Sequence, residues 1–343
     1  MKSVRELGER ARNVRGLTVL MIFGILIITA FIISMNTGYT RLSPAQVFNT
    51  LIGAGDAKQS LILFEFRLPR IVISILVGMG LAVSGCILQG LSRNALADPG
   101  ILGINAGAGL MVMLFISFFP STAAAPVFLL PFLALLGAGM TAALIYMLAY
   151  KRHEGISPTR LLLVGIAVAA GISAAMIVLT LRLNPENYQF VATWMAGSIW
   201  GSNWKFVLAL LPWIVVLLPF AIYKARVLNV LNLGDQTATG LGLPIEKDRV
   251  VLLAVAVGLA GSCVAVSGGI GFVGLVGPHL ARRLVGPKHQ LLLPTSALAG
   301  ALLLIVADTL ARIILQPSEI PTGIVVAVIG APYFLYLLAR SKA

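Results

Sequence analysis

The chain has 343 residues, of which 59% are hydrophobic and 11% charged, with a mean hydropathy of +0.98. Too few polar side chains are present to cover a water-soluble globule, so the composition points to an integral membrane protein. The formal charge of +13 does not indicate nucleic acid, because Lys and Arg sit between apolar runs and no basic segment is interleaved with aromatic residues.

In chain order, residues 1–16 carry Lys2, Arg5, Arg10, Arg12 and Arg15 and lead into an apolar run at 17–35. At about 1.5 Å per residue that run is long enough to cross about 30 Å of hydrocarbon. It is longer than the apolar core of a signal peptide, and no small-x-small cleavage site follows it. By the same criterion the sequence predicts further spans near 71–91, 101–119, 125–150, 161–183, 206–223, 250–267, 270–285, 291–315 and 322–339. The expected fold is therefore all-α, a single membrane domain over 1–343 with ten transmembrane helices and both termini on one side. Of the 25 Lys and Arg residues, 18 fall on the side of the termini, which makes that side cytoplasmic. The span at 270–285 is short and glycine-rich and is expected to tilt or break.

Two connectors stand out. Residues 36–70, on the external side, contain a short helix opened by Ser43 as N-cap and Pro44 as first helical residue. They end in Arg67-Leu68-Pro69-Arg70, whose arginines read either as lipid-headgroup anchors or as a docking site for an acidic protein surface. Arg312 is a third candidate for the same face. Residues 224–249 form the longest polar interruption, on the cytoplasmic side. An apolar-periodic stretch at 227–233 is followed by Gly234-Asp235, a stop and an N-cap, and a second short piece ends at Gly240, Gly242 and Pro244. This is either an ordinary surface loop or the place where a soluble partner pushes on the membrane part.

Small residues recur inside the spans, notably Gly78, Gly80, Gly85, Gly103, Gly107, Gly274 and Gly277, the pattern of closely packed membrane helices. The second and seventh spans echo one another, GLAVSGC at 80–86 and GLAGSC at 258–263, which is compatible with an inverted repeat of the second-to-fifth and seventh-to-tenth spans. Asp308 is the clearest acidic group within a span, and Arg312 lies one turn away to pair with it. The scarcity of intramembrane carboxylates argues against an ion-coupled carrier. There is no phosphate loop, no nucleophile–base set and no HExxH pattern, so neither ATP hydrolysis nor other catalysis is assigned to this chain. His153, His279 and His289 are scattered, and Cys86 and Cys263 lie in apolar runs; no metal site follows from them.

Several stretches together resemble the iron-siderophore and cobalamin permease family, the type II importers among ATP-binding-cassette transporters. They are Arg67-Leu-Pro-Arg70; Asn94-Ala-Leu-Ala-Asp-Pro-Gly100 with Leu102-Gly103; Ser157-Pro-Thr-Arg160; Leu233-Gly-Asp235 through Leu241-Gly-Leu-Pro244; Gly271-Phe-Val-Gly-Leu-Val-Gly-Pro-His279; Ala307-Asp308 with Ala311-Arg312; and Ile320-Pro-Thr-Gly323 with Gly330-Ala-Pro332. They run in the family's order from about residue 67 to the end.

The resemblance implies a permease subunit importing ferric siderophore across the bacterial cytoplasmic membrane, with cobalamin or haem as alternative substrates. It implies that Gly234, Asp235, Ala238, Leu241 and Gly242 belong to coupling helices seated on a cytoplasmic ATPase dimer, which would use ATP and Mg while this chain binds no cofactor. Arg67, Arg70 and Arg312 would face an extracytoplasmic siderophore-binding protein. Asn94 and Leu96, and Ser157 and Thr159, would form cytoplasmic gates; Pro158 stands where a small polar residue is expected between the latter two. A second permease subunit, identical or merely similar, would complete the pathway, lined largely by the fifth, eighth and tenth spans. An ion-coupled secondary transporter is the reading from another class.

Overall fold

With no water in a bilayer to satisfy backbone N–H and C=O groups, apolar runs of this length close their hydrogen bonds internally as helices. The computed structural model describes residues 2–38, 40, 42–119, 128–152, 155–199 and 201–340, with backbone alone at 2–13, 337, 338 and 340. In order, the helices are α1 (Lys2–Asn36), α2 (Pro44–Leu51), α3 (Ala57–Ser60), a π-helical turn (Leu61–Arg67), α4 (Leu68–Ser92), α5 (Ile104–Phe118), α6 (Leu129–Ala149), α7 (Pro158–Thr180), α8 (Pro185–Met195) and α9 (Trp204–Tyr223). They continue with α10 (Ala225–Leu231), α11 (Asp235–Gly240), α12 (Ile245–Ser267), α13 (Val273–Val285), α14 (His289–Ile314) and α15 (Thr322–Arg340). Among the described residues, seven stretches are long and apolar enough to cross a membrane: Val14–Asn36, Ala57–Ser92, Leu129–Ala149, Pro158–Thr180, Trp204–Tyr223, Ile245–Ser267 and His289–Ile314. Helices α5, α13 and α15 occupy the positions of the third, eighth and tenth predicted spans and are shorter.

Helix α4 is the axis of the bundle. It is buried along nearly its whole length and packs against α14, α12 and α13. Membrane helices gain little from expelling lipid, so close backbone approach must supply the attraction. A Cβ on Gly78 would lie 2.4 Å from the carbonyl oxygen of Gly300 in α14, and one on Gly85 2.1 Å from that of Gly274 in α13. Both glycines are there because nothing larger fits. The two echoing sequence stretches meet across the α4–α12 crossing, where Ser84 Oγ donates to the carbonyl of Ala256 at 2.7 Å and Gly80 lies against Cys263 Sγ.

Between α12 and α13 the chain is not helical from Gly268 to Phe272, which leaves α13 with 13 residues. That irregular backbone is tied to neighbouring elements by hydrogen bonds, as a membrane requires. Gly269 N donates to the carbonyl of Trp194, Ser198 N to that of Ser267 and Gly323 N to that of Gly197. The expected break in the short span is thus a junction of α8, α12, α13 and α15.

Other expectations need correction. The connector expected at 36–70 is already helical from Ala57, because Leu63 and Arg67 fall one turn apart on a buried face and carry the helix through. The π-helical turn sits immediately before Pro69, whose ring nitrogen cannot donate, and the wider register absorbs the missing bond. The all-helical expectation also missed a two-residue strand pair, Tyr150–Lys151 with Gly155–Ile156, joining α6 to α7. His153 and the first residues of the predicted span at 125–150 lie outside the described residues. Helix α2 begins as expected: Ser43 accepts from Gln46 N and Gln46 returns the bond to the Ser43 backbone.

Gly85→Val is expected to overpack the α4–α13 crossing and destabilise the protein by about 1–3 kcal/mol. Gly139→Ala in α6, where a Cβ meets nothing within 4 Å, is expected to be neutral. Thermal unfolding of the detergent-solubilised protein, followed by exposure of its buried cysteines to a thiol-reactive dye, checks both.

Candidate functional site

The polar groups of this apolar chain concentrate at the two ends of α4. At its N-terminal end, Arg70 binds Asp308 of α14 with Nε at 3.0 Å and Nη2 at 2.9 Å, and reaches Glu319 with Nη1 at 2.7 Å. Arg312, one turn after Asp308, bonds the other carboxylate oxygen with Nε at 3.2 Å and contacts Ser34 of α1 with Nη2. Thr322, the first residue of α15, donates to Asp308 Oδ1 at 3.2 Å. Arg67 donates to the carbonyls of Met35 and Thr40. Asp308 is 1% exposed, and all three arginines are buried. Charges withdrawn from water are tolerated only when paired and hydrogen-bonded, and here two carboxylates and the carbonyls at the end of α1 do that.

The three arginines expected on the external face are thus brought together, but not as exposed side chains. The guanidinium groups of Arg70 and Arg312 are taken up by this chain's own Asp308 and Glu319, and that of Arg67 by its carbonyls. The pairing of Arg312 with Asp308 is as the sequence suggested. Glu319, Ser34 and Thr322 were missed, and no spacing could have announced an Arg70–Glu319 contact across 249 residues.

At the C-terminal end of α4 lies the 224–249 loop. It folds as α10, a turn and α11, with Gly234 at φ +108° turning the chain between them, a conformation other residues rarely adopt. The N-cap is Gly234 rather than the expected Asp235, which begins the helix. The carboxylate of Asp235 is engaged instead by two arginines: Arg93, the residue after α4, and Arg249 of α12, whose Nη2 lies 3.0 Å away. Lys224 and Asp248 close the base of the loop at 2.8 Å. Ala238 lies on the buried face of α11, while Leu233 and Leu241 stand 63% and 65% exposed on either side of the helix.

The remaining site residues adjoin this loop. Asn94 accepts from Leu96 N at 2.9 Å in a tight turn, which leaves the Leu96 side chain 40% exposed. Ser157 caps α7 with extended backbone but makes no side-chain capping bond, Pro158 takes the first helical position, and Thr159 is exposed. The departure at Pro158 has a local reason, since proline is favoured at the first turn, where its missing N–H costs nothing. Asp98, in the connector after Asn94, is buried with Oδ1 accepting from Gly100 N at 2.8 Å. Burial pushes its carboxyl up to about 6, against the pull of the backbone N–H groups of Gly100 and Ile101.

Helix α8 was not expected, although Asn184 followed by Pro185 and Glu186 is a legible start signal; Asn184 accepts from Asn187 N at 2.8 Å. It borders a cavity of about 590 Å³ lined by Glu186, Gln189, Phe190, Thr193, Trp194 and Ser202 among others. Among the described residues no group of His, Cys, Asp and Glu is arranged to hold a metal ion. His279 lies edge-on to Tyr333, and His289 Nδ1 is 2.8 Å from Asn229 Oδ1.

Together these features define a multi-pass helical membrane protein of the permease class, with one polar cluster at either end of its central helix. The chain belongs to the FecCD transport family, whose model matches residues 25–340. It is 52% identical over 337 residues to the iron(3+)-hydroxamate import system permease protein FhuG of Bacillus subtilis, covering 97% of this chain and 100% of that one. It is 39% identical to the hemin transport system permease protein HmuU of Yersinia pestis, covering 94% and 96%. Among solved structures it resembles a metal-chelate type ABC transporter in an inward-facing conformation, with a TM-score of 0.84 and 32% identity over 94% of this chain and 99% of that one.

Asp308→Ala leaves two buried guanidinium groups short of their shared partner and is expected to cost about 3–5 kcal/mol. Glu319→Gln removes a partly exposed partner and is expected to cost about 0–1 kcal/mol. Unfolding midpoints in one detergent should rank the two in that order.

Proposed function

We propose that this chain is the transmembrane permease subunit of an ATP-driven importer that moves ferric siderophore across the bacterial cytoplasmic membrane. The observation that carries the reading is the 52% identity over essentially full length with an iron(3+)-hydroxamate permease, and it favours a ferric hydroxamate. The hemin permease among the relatives makes haem the second reading.

In this reading the ten helices α1, α4, α5, α6, α7, α9, α12, α13, α14 and α15 all cross, the short α5, α13 and α15 by leaning on their neighbours, within one domain. Both termini and the 224–249 loop are cytoplasmic. The positive-charge distribution supports this, as does the packing of Gly16 in α1 against Leu291 near the start of α14, on the loop side of the bundle. Gly234, Asp235, Ala238, Leu241 and Gly242 seat the loop on a cytoplasmic ATPase dimer that supplies ATP and Mg, and Leu233 and Leu241 supply its apolar contacts. This chain itself holds no cofactor.

Arg67, Arg70 and Arg312 serve the extracytoplasmic binding protein from within their cluster. Glu319 is the one partly exposed acid there, so an incoming carboxylate reaches Arg70 by replacing it. The ligand then enters a pathway shared with a second permease subunit. Its walls hold the chelate by shape and scattered polar groups, since a siderophore already satisfies the iron. Asn94 and Leu96, with Ser157 and Thr159, close the pathway on the cytoplasmic side. ATP binding and hydrolysis shift the loops between two arrangements by contacting them differently in each, as any such switch requires.

Uptake of radiolabelled iron as ferric trihydroxamate, tricatecholate and citrate, beside labelled haem and cobalamin, tests this in cells with and without the chain. Loss of trihydroxamate uptake alone on deletion is the expected result. Loss of haem or cobalamin uptake instead would keep the architecture and change the substrate; uptake that survives ATP depletion and follows an ion gradient would support a secondary transporter.

A further inference from the structure

The 224–249 loop and the two gate segments meet at one oxygen atom. Asp235 Oδ1 is bonded by Arg93 Nη2 and by Arg249 Nη2. Arg93 immediately precedes Asn94, and its Nε also donates to the carbonyl of Leu231 at the end of α10, at 3.0 Å. It sits at φ +51°, a left-handed conformation unfavourable for a residue with a Cβ, which the side-chain bonds to the loop help to offset. Arg249, almost wholly buried, donates through Nη1 to the carbonyl of Ile156 at 2.7 Å. The N–H of Ile156 in turn donates to Glu246 at 3.2 Å, so the N-terminal part of α12 grips both backbone groups of the residue preceding Ser157.

Resting on the permease reading above, we propose that Asp235 is a single node through which movement of the coupling loop is passed to both gates, with Arg93 and Arg249 as its two arms. All three are positioning residues: they act on Asn94, Leu96, Ser157 and Thr159 through the backbone. Hydrogen bonds weaken steeply with small changes in length and angle, so a displacement of α11 alters both arms together. Each arm ends on a different gate segment, and this makes the two gates move as one. Without the carboxylate, two guanidinium groups that now share an acceptor would repel, and the gates would lose their common tether.

The test uses the complete transporter in proteoliposomes: this chain, its companion permease if distinct, the ATPase subunits and the binding protein. Uptake of radiolabelled ferric trihydroxamate and ATP hydrolysis are measured in the same vesicles. Arg93→Gln is expected to leave hydrolysis close to wild type while uptake per ATP falls about tenfold or more, the fold-change expected for losing a hydrogen bond to a charged group. Arg93→Lys, which keeps the charge, should recover a substantial part of it. Asp235→Asn combined with Arg93→Gln should be no worse than the poorer single variant, because both remove one interaction. Should either fail to assemble, Arg249→Gln examines the second arm with the same readout. An unchanged uptake-to-hydrolysis ratio in the Arg93 and Arg249 variants, or hydrolysis and uptake falling in equal proportion, overturns the proposal. A wild-type complex without ATP-dependent uptake overturns the permease reading itself, and the node with it.

Discussion

Everything in this fold depends on how closely α4 can lie against α14, α12 and α13. The contact at Gly78 and Gly85 is backbone to backbone, and in lipid such contact replaces the hydrophobic drive that packs soluble helices. With 25 residues, α4 is about 37 Å long. It is therefore a stiff rod spanning the bundle, held by α13 and α14 along its length. Its first turn carries Arg70 and its C-terminus carries Arg93, so the same rod positions both polar clusters.

The clusters themselves follow from the cost of charge in an apolar chain. Arg70, Arg312 and Asp308 are all buried, and they are stable there only because each guanidinium finds a carboxylate or a carbonyl. A cluster built that way fixes α1, α4, α14 and α15 relative to one another at one end. At the other, Asp235 and Arg93 are partly hydrated while Arg249 is buried, so the Arg93–Asp235 bond costs less to exchange. The first end is thus a buried cluster, and the second is open to water at Asp235 and Arg93. The non-helical stretch before α13 brings α8, α12, α13 and α15 together through backbone bonds such as Gly269 N to Trp194 O and Ser198 N to Ser267 O.

Much of this was legible in the sequence, and the limits have physical causes. Long apolar runs announced most of the long apolar helices, and Ser43-Pro44 announced α2, because length and capping are local properties. The Asp308–Arg312 pair was visible for the same reason, four residues being one helical turn. The helical turns ahead of the second span were not announced because Glu65 and Arg67 interrupt the hydrophobic pattern, whereas Arg67 is buried against carbonyls of distant residues. That Arg67, Arg70 and Arg312 are buried, that Glu319 meets Arg70, and that Arg249 reaches Ile156 are tertiary facts with no local signature. The start signal of α8 at Asn184-Pro185 was present, but its short amphipathic pattern does not register against a criterion tuned to membrane spans.

The central claim is that the 224–249 loop is the face on which a cytoplasmic ATPase acts. Cys86 and Cys263 are buried and carry no disulfide, so an added surface cysteine can be addressed alone. The direct measurement is cross-linking, in intact membranes, of single cysteines placed at Leu233, Leu241 and Leu315, all exposed, to the companion subunits. Cross-links from 233 and 241 to the ATPase, with none from 315, are the predicted result. Cross-links from 315 to the ATPase, or from 233 and 241 to the binding protein, would contradict it.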